Sequence, residues 1–197
     1  MLEEFQRIGR DLFVSGLVSS HGGNMSVRLG DRLIITRRGS QLGQLTAEDL
    51  IETGLYKDDS NIMLASSETP VHRAIYLNTA ALAIVHAHPR TAVAFSLLQD
   101  EIVPVDNEGS YLLHRVPVVS SAVASGTELA EIVATALKRY KIVVVRGHGC
   151  FSTGQLLEEA YQWASCLEES SQILYYLRTI GGEMKEYRDM ADQYKKW

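Results

Sequence analysis

Residues 82–89 read Leu82-Ala83-Ile84-Val85-His86-Ala87-His88-Pro89. The run is apolar up to its first histidine, holds β-branched Ile84 and Val85, and meets a proline, which predicts a strand ending at Pro89. A second run, Ile142-Val143-Val144-Val145, is continuously β-branched, the pattern of a strand buried on both faces, and it stops at Gly147-His148-Gly149. Helical spacing follows the first run over Thr91–Leu98, precedes the second over Glu128–Lys138 and follows it over Leu156–Leu177. Strands alternate with helices along the chain, which predicts an α/β layered domain.

The same reading extends toward the N-terminus. Leu2, Phe5, Ile8, Leu12, Phe13 and Leu17 have the spacing of an amphipathic helix that weakens at Gly16. Met25–Leu29 alternates apolar and polar residues, and Gly30-Asp31 turns it into a returning strand, Arg32–Thr36. Thr46–Leu50 reads as one capped helical turn and Ile51–Tyr56 as a further strand. Thr69 as N-cap and Pro70 at the first helical position predict a helix through Val71, Ile75 and Tyr76. Ile102-Val103 and Val116–Val119 are two more short apolar runs. No internal repeat or Pro/Gly/Ser-rich linker interrupts the chain, so residues 1–197 are expected to form one domain.

Composition removes several function classes. Hydrophobic residues make up 46% and charged residues 22%, the balance of an ordinary globular chain rather than a disordered one. With 19 basic residues against 24 acidic ones the net charge is −5, which supplies no basic stripe for nucleic acid. No apolar run approaches the roughly 20 residues of a membrane-spanning helix. The acidic start lacks the form of a secretion signal, and Cys150 and Cys166 are too few for a disulfide framework, so a cytoplasmic location is expected.

Three features point to one chemistry. His86 and His88 lie two apart on the predicted strand and so share a face, close enough for both imidazoles to reach one zinc ion. Read alone, the pair is more often a set of surface or core histidines. His148, held between glycines beyond a buried strand, offers a third nitrogen, and three histidines with an open fourth position form a catalytic zinc arrangement. Cys150 is a nearby alternative, read here as a small buried hydrophobe. Glu68, at a helix start, either favours the helix dipole or serves as a base near the metal, with His72 four residues on to orient it. His21 and His114 fall in loops and are read as solvated. Two segments are suited to an anion: Ser20–Asn24, with flexible glycines and an amide, and Ser66-Ser67 at the helix start, with Arg37-Arg38-Gly39-Ser40 as added charge. Flanking a metal site, they suggest a phosphorylated substrate.

Taken in order, Gly22-Gly23-Asn24-Met25-Ser26-Val27-Arg28, Ile35-Thr36 with Gly39, Ser66-Ser67-Glu68, His86-Ala87-His88-Pro89 and Gly147-His148-Gly149 resemble the class II aldolase/adducin family. The resemblance implies a three-layer α/β/α sandwich around a largely antiparallel sheet. It implies a zinc ion (manganese or cobalt being alternatives) on His86, His88 and His148, and Glu68 as acid/base. It implies a phosphate site from Gly23, Asn24, Gly39, Ser66 and Ser67. The implied reaction is cleavage of a phosphorylated ketose, such as L-fuculose 1-phosphate, to dihydroxyacetone phosphate and an aldehyde. Homotetramers with active sites between subunits are also implied, with a tyrosine from a neighbour for which Tyr111, Tyr187 and Tyr194 are candidates. His21-Gly22 and Arg37-Arg38 depart from the family pattern, the latter pair adding charge where the phosphate is expected.

The family allows other outcomes. Glu108, about twenty residues beyond the histidine pair, stands where a dehydratase branch acting on a methylthio-pentulose phosphate carries its carboxylate. A sugar-phosphate 4-epimerase is disfavoured because that branch has Asp at the position of Glu68. A non-catalytic interaction domain of the adducin type would have lost ligands that are all present here.

Overall fold

A computed structural model describes residues 1–121, 126–183 and 185–186. Its strands are β1 Asn24–Leu29, β2 Arg32–Thr36, β3 Leu50–Gly54, β4 Ala83–Ala87, β5 Glu101–Ile102, β6 Val116–Val119, β7 Ile142–Val145 and β8 Gly149–Gly154. Its helices are α1 Leu2–Val14, α2 Thr69–Asn78, α3 Arg90–Ser96, α4 Asn107–Leu112, α5 Thr127–Leu137 and α6 Leu157–Ile180. The strands form one eight-stranded sheet in the order β3-β2-β1-β4-β8-β7-β6-β5. Every neighbouring pair is antiparallel except β6 and β7, whose parallel connection carries α5.

Side-chain alternation on β4 divides the core. Ala83, Val85 and Ala87 join Phe5, Ile8 and Leu12 of α1, Phe95 of α3 and Leu157, Ala160 and Leu167 of α6. Ile84 points the other way, with Val71 and Ile75 of α2 and Leu129 and Val133 of α5. Helices therefore cover both faces, giving a three-layer α/β/α sandwich with a largely antiparallel sheet, as expected. β4 lies between β1 and β8, and all five of its residues are buried. The histidine-bearing strand is thus central, and its end opens on one edge of the sandwich.

Two local readings need correction. Glu68, not Thr69, is the N-cap of α2; the Thr69 hydroxyl turns back to the Ser66 carbonyl at 2.6 Å. Pro70 is then the second helical residue, where a missing N–H still costs nothing. The segment after β7, which the sequence leaves without a strand, forms β8 between β4 and β7. The capped turn at Thr46 is present as a short 3₁₀ helix, Ala47–Asp49, in which Thr46 and Asp49 cap each other reciprocally.

Candidate metal centre and active site

The N-terminal end of β1, the C-terminal end of β4 and the N-terminal end of β8 meet at the start of α2. Asn24 pairs with His86 across β1 and β4, and Ala87 with Cys150 across β4 and β8. His86 is 1% exposed and points to the α2 layer, stacked on Phe151 at 4.2 Å between ring centroids. Its Nδ1 lies 2.9 Å from the Cys150 carbonyl, which can only accept, so Nδ1 carries the proton and Nε2 presents a lone pair. His88 follows on the same side, and its main-chain N–H donates to the Leu17 carbonyl at 2.7 Å, tying the strand end to the segment after α1.

His148 joins them from the β7–β8 turn. Gly147 has φ +68° and the His148 N–H donates to the Val145 carbonyl at 3.0 Å, a tight reversal that turns the ring toward β4. Gly149 then lets the rings close: a Cβ there would stand 2.4 Å from the Ala87 oxygen and 2.5 Å from His88 Cδ2. Gly23, at φ +75°, permits the matching approach of β1, since a Cβ would meet the His86 oxygen at 2.7 Å.

The structure brings His86, His88 and His148 together, with one nitrogen of each within 4.8 Å of the others. Ring centroids are 4.7 to 5.3 Å apart. His86 Nε2 is 2.9 Å from His88 Nε2 and 3.1 Å from Glu68 Oε2, while His148 Nε2 is 3.6 Å from Glu68 Oε1. A lone pair and a carboxylate facing each other repel unless a positive centre lies between them. The buried Nδ1 of His148 has no hydrogen-bond partner among the described residues. These donors fit a divalent cation, for which neutral imidazole and carboxylate are ordinary ligands. Burial, aided by the neighbouring histidines, depresses the pKa of His86 well below the usual value, and burial followed by His148 lowers that of His88. Both rings are therefore held neutral, the form that ligates.

Glu68 is 7% exposed and its side chain caps nothing; the carboxylate turns from the helix it starts toward the histidines. Asn24 Nδ2 donates to Glu68 Oε2 at 2.7 Å, and His72 reaches the other end of that amide at 2.6 Å. His72 thus touches Glu68 through Asn24. Its pKa is lowered to about 3, mainly by burial.

The anion-suited loops border the same carboxylate. Arg37 and Ala65 form an isolated bridge and the Ser66 N–H donates to the Thr36 carbonyl at 3.2 Å, which ties the end of β2 to the segment leading into α2. Asn24, expected to face an anion, spends its side-chain amide on Glu68 and His72. Arg37, expected to add charge there, instead pairs with Asp49 at 2.8 and 3.0 Å. Cys150 is fully buried on the α1–α6 side of β8, away from the histidine rings, and its contribution is its carbonyl. His21 is exposed, with Gln41 at 3.2 Å and Ser20 at 3.0 Å. Glu108 lines a cavity of about 440 Å³ with Asp106, Cys166 and Glu169; no histidine lines it. Tyr111 is half exposed on α4, and Tyr187 and Tyr194 lie outside the described residues.

Comparison with known proteins agrees with this geometry. The model of the Class II Aldolase and Adducin N-terminal domain matches residues 3–175. An L-fuculose phosphate aldolase of Methanococcus maripaludis is 32% identical over 182 residues, covering 91% of this chain and 98% of that protein. A 3-oxo-tetronate 4-phosphate decarboxylase of Pectobacterium atrosepticum is 32% identical over 181 residues, covering 88% of this chain and 83% of that protein. The crystal structure of L-fuculose-1-phosphate aldolase from Thermus thermophilus superimposes with a TM-score of 0.87 at 41% identity, over 93% of this chain and 98% of that one. A match over most of its length, on a fold that brings the ordered motifs to one point, makes this chain a member of the class II aldolase and adducin family.

Proposed function

We propose that the protein is a zinc-dependent aldolase that cleaves a phosphorylated ketose, of the L-fuculose 1-phosphate type, into dihydroxyacetone phosphate and a lactaldehyde-like aldehyde. Family membership makes the chain a lyase of the class II aldolase type, acting on a small sugar phosphate. The observation that carries the finer reading is the convergence of three histidine rings on the buried Glu68 carboxylate.

His86, His88 and His148 would hold the ion, and a divalent cation on neutral imidazoles supplies Lewis acidity to adjacent substrate oxygens. Breaking the C3–C4 bond turns the C4 hydroxyl into the aldehyde carbonyl; the Glu68 carboxylate takes up the proton released there and passes it to the carbon left electron-rich, and the condensing direction reverses both transfers. Burial keeps bulk water from competing for this proton. Gly23, Gly39, Ser66 and Ser67 would border the phosphate, whose charge suits the N-terminus of α2, while Asn24, its amide held by Glu68 and His72, acts on the carboxylate instead. Glu68, rather than Asp, disfavours epimerase chemistry, and Glu108, the carboxylate the dehydratase reading calls on, lines a cavity that no histidine borders. The complete ligand set argues against a purely structural, adducin-like role.

The decarboxylase relative supports a second reading, loss of carbon dioxide from a 3-oxo acid 4-phosphate, which also leaves an electron-rich carbon needing a proton. Substrate recognition is expected to use a homotetramer with sites near subunit interfaces. Two free, buried thiols suit a reducing cytoplasm. The test pairs metal analysis by mass spectrometry with product analysis on a panel of ketose 1-phosphates and a 3-oxo acid 4-phosphate. Aldehyde and dihydroxyacetone phosphate are expected, with loss of about 100-fold or more in Glu68→Gln. Carbon dioxide release alone would transfer the site to decarboxylation, and full cleavage by Glu68→Gln would remove Glu68 as the base.

A further inference from the structure

Behind Glu68 lies a line of buried polar side chains that the proposed reaction does not itself require. Asn24 and Ser26 share one face of β1, a two-residue step of about 6.8 Å. Glu68, His72 and Tyr76 share one stripe of α2, at four-residue steps of about 6 Å. The two repeats nearly match, so the side chains interleave in the order Tyr76, Ser26, His72, Asn24, Glu68. Successive contacts are 2.7 Å, 2.6 Å, 2.6 Å and 2.7 Å. Ser26 and His72 are fully buried, Tyr76 is 1% exposed, and Asn24 and Glu68 are each 7% exposed.

The direction of every hydrogen bond follows from one end. A carboxylate only accepts, so the Asn24 NH₂ group faces Glu68. The Asn24 oxygen, at the other end of the amide, also only accepts, so His72 Nε2 bears the proton. A neutral ring then leaves Nδ1 bare, Ser26 donates to it, and the Tyr76 hydroxyl donates to Ser26. With the opposite tautomer, His72 would turn the amide round and set the Asn24 oxygen against the carboxylate.

We infer that His72 is a positioning residue for Glu68. By fixing which end of the Asn24 amide faces the carboxylate, it keeps Oε2 an acceptor and leaves Oε1 as the oxygen that meets the substrate. The catalytic consequence rests on Glu68 being the acid/base proposed above; the direction of the chain does not.

Two measurements separate these. In ¹⁵N-histidine-labelled wild-type protein, the His72 signal, assigned by its loss in His72→Gln, is expected to show Nε2–H and a bare Nδ1. The reverse tautomer, or a doubly protonated ring at neutral pH, overturns the inference whether or not any substrate is turned over. In the metal-loaded enzyme, His72→Phe keeps the ring shape without the donor, and kcat is expected to fall about 10- to 100-fold with KM within about twofold and metal content unchanged. His72→Gln, which restores an amide donor toward Asn24, is expected to recover most of that loss. An unchanged kcat in His72→Phe, or no difference between the two variants, overturns the positioning role. If the phenyl variant does not fold, the tautomer in the wild-type protein decides alone.

Discussion

Glu168, at the middle of α6, caps α3 from another helix: its carboxylate accepts the Thr91 N–H at 3.0 Å and the Thr91 hydroxyl at 2.7 Å. It also accepts the Ala92 N–H at 3.2 Å, so the first donors of a helix that has no side-chain cap of its own are met by a residue 76 positions away. α3 begins immediately after His88-Pro89, so this contact anchors the segment leaving the candidate metal centre. Glu168→Ala is expected to cost about 2 to 4 kcal/mol, because charge-assisted bonds are lost and buried N–H groups are left bare. Glu168→Gln, which still accepts, should lose less. Urea denaturation of the three proteins checks the order.

Removing a ring from the histidine cluster should separate binding from folding. His148 sits on a turn and is 27% exposed on its side chain, so His148→Ala is expected to leave the far-ultraviolet circular dichroism unchanged while bound metal falls at least about 10-fold. Mass spectrometry after dialysis against a weak chelator reads the loss. Retention of one ion per chain would show that His86 and His88 need no third ring.

Gly149→Ala tests the close approach that lets the cluster form. The added methyl cannot be accommodated 2.4 Å from the Ala87 oxygen, so β4 and β8 must separate, and the His88 ring, 2.5 Å from it, must swing away. A stability loss of about 1 to 3 kcal/mol, together with weakened metal retention, is expected from thermal denaturation and metal titration.

Acid sensitivity should carry the mark of His72. Its pKa falls from 6.5 in the unfolded chain to about 3 in the folded one, mainly through burial. Between those values the unfolded state binds a proton that the folded state refuses. Stability from this group is therefore whole above pH 6.5 and is lost as the pH falls toward 3, at about 1.4 kcal/mol per unit. His72→Gln removes that slope. Urea titrations at pH 7 and pH 5, with chelator present so that bound metal plays no part, should show the wild-type protein losing more than the variant.

Much of the layered fold and the three histidines could be read along the chain because the relevant forces are local. β-branched runs announce β7, apolar periodicity announces α1 and α6, and alternate spacing puts His86 and His88 on one side of β4. β8 is not legible in the sequence because Gly-Cys-Phe-Ser-Thr-Gly has neither alternation nor a β-branched run; it is a strand because β4 and β7 flank it. α4, six residues with a glycine in the middle, has little helical preference and depends on the Asp106 cap. Asn24 and Arg37 were readable as polar residues beside an anion site, but which partner each would choose depends on chain segments brought close only by folding. Glu168 gave no signal at all, since nothing in a long helix marks one carboxylate as the cap of another.

The hydrogen bond from His86 to the Cys150 carbonyl joins sheet alignment to cation binding. That carbonyl belongs to a residue whose partner across the ladder is Ala87. Sliding β8 by one place would exchange it for a neighbouring group and send alternate side chains into the wrong layer. A misaligned chain would then offer no firm seat for the ion, so metal uptake during refolding doubles as a readout of whether these two central strands have annealed in step.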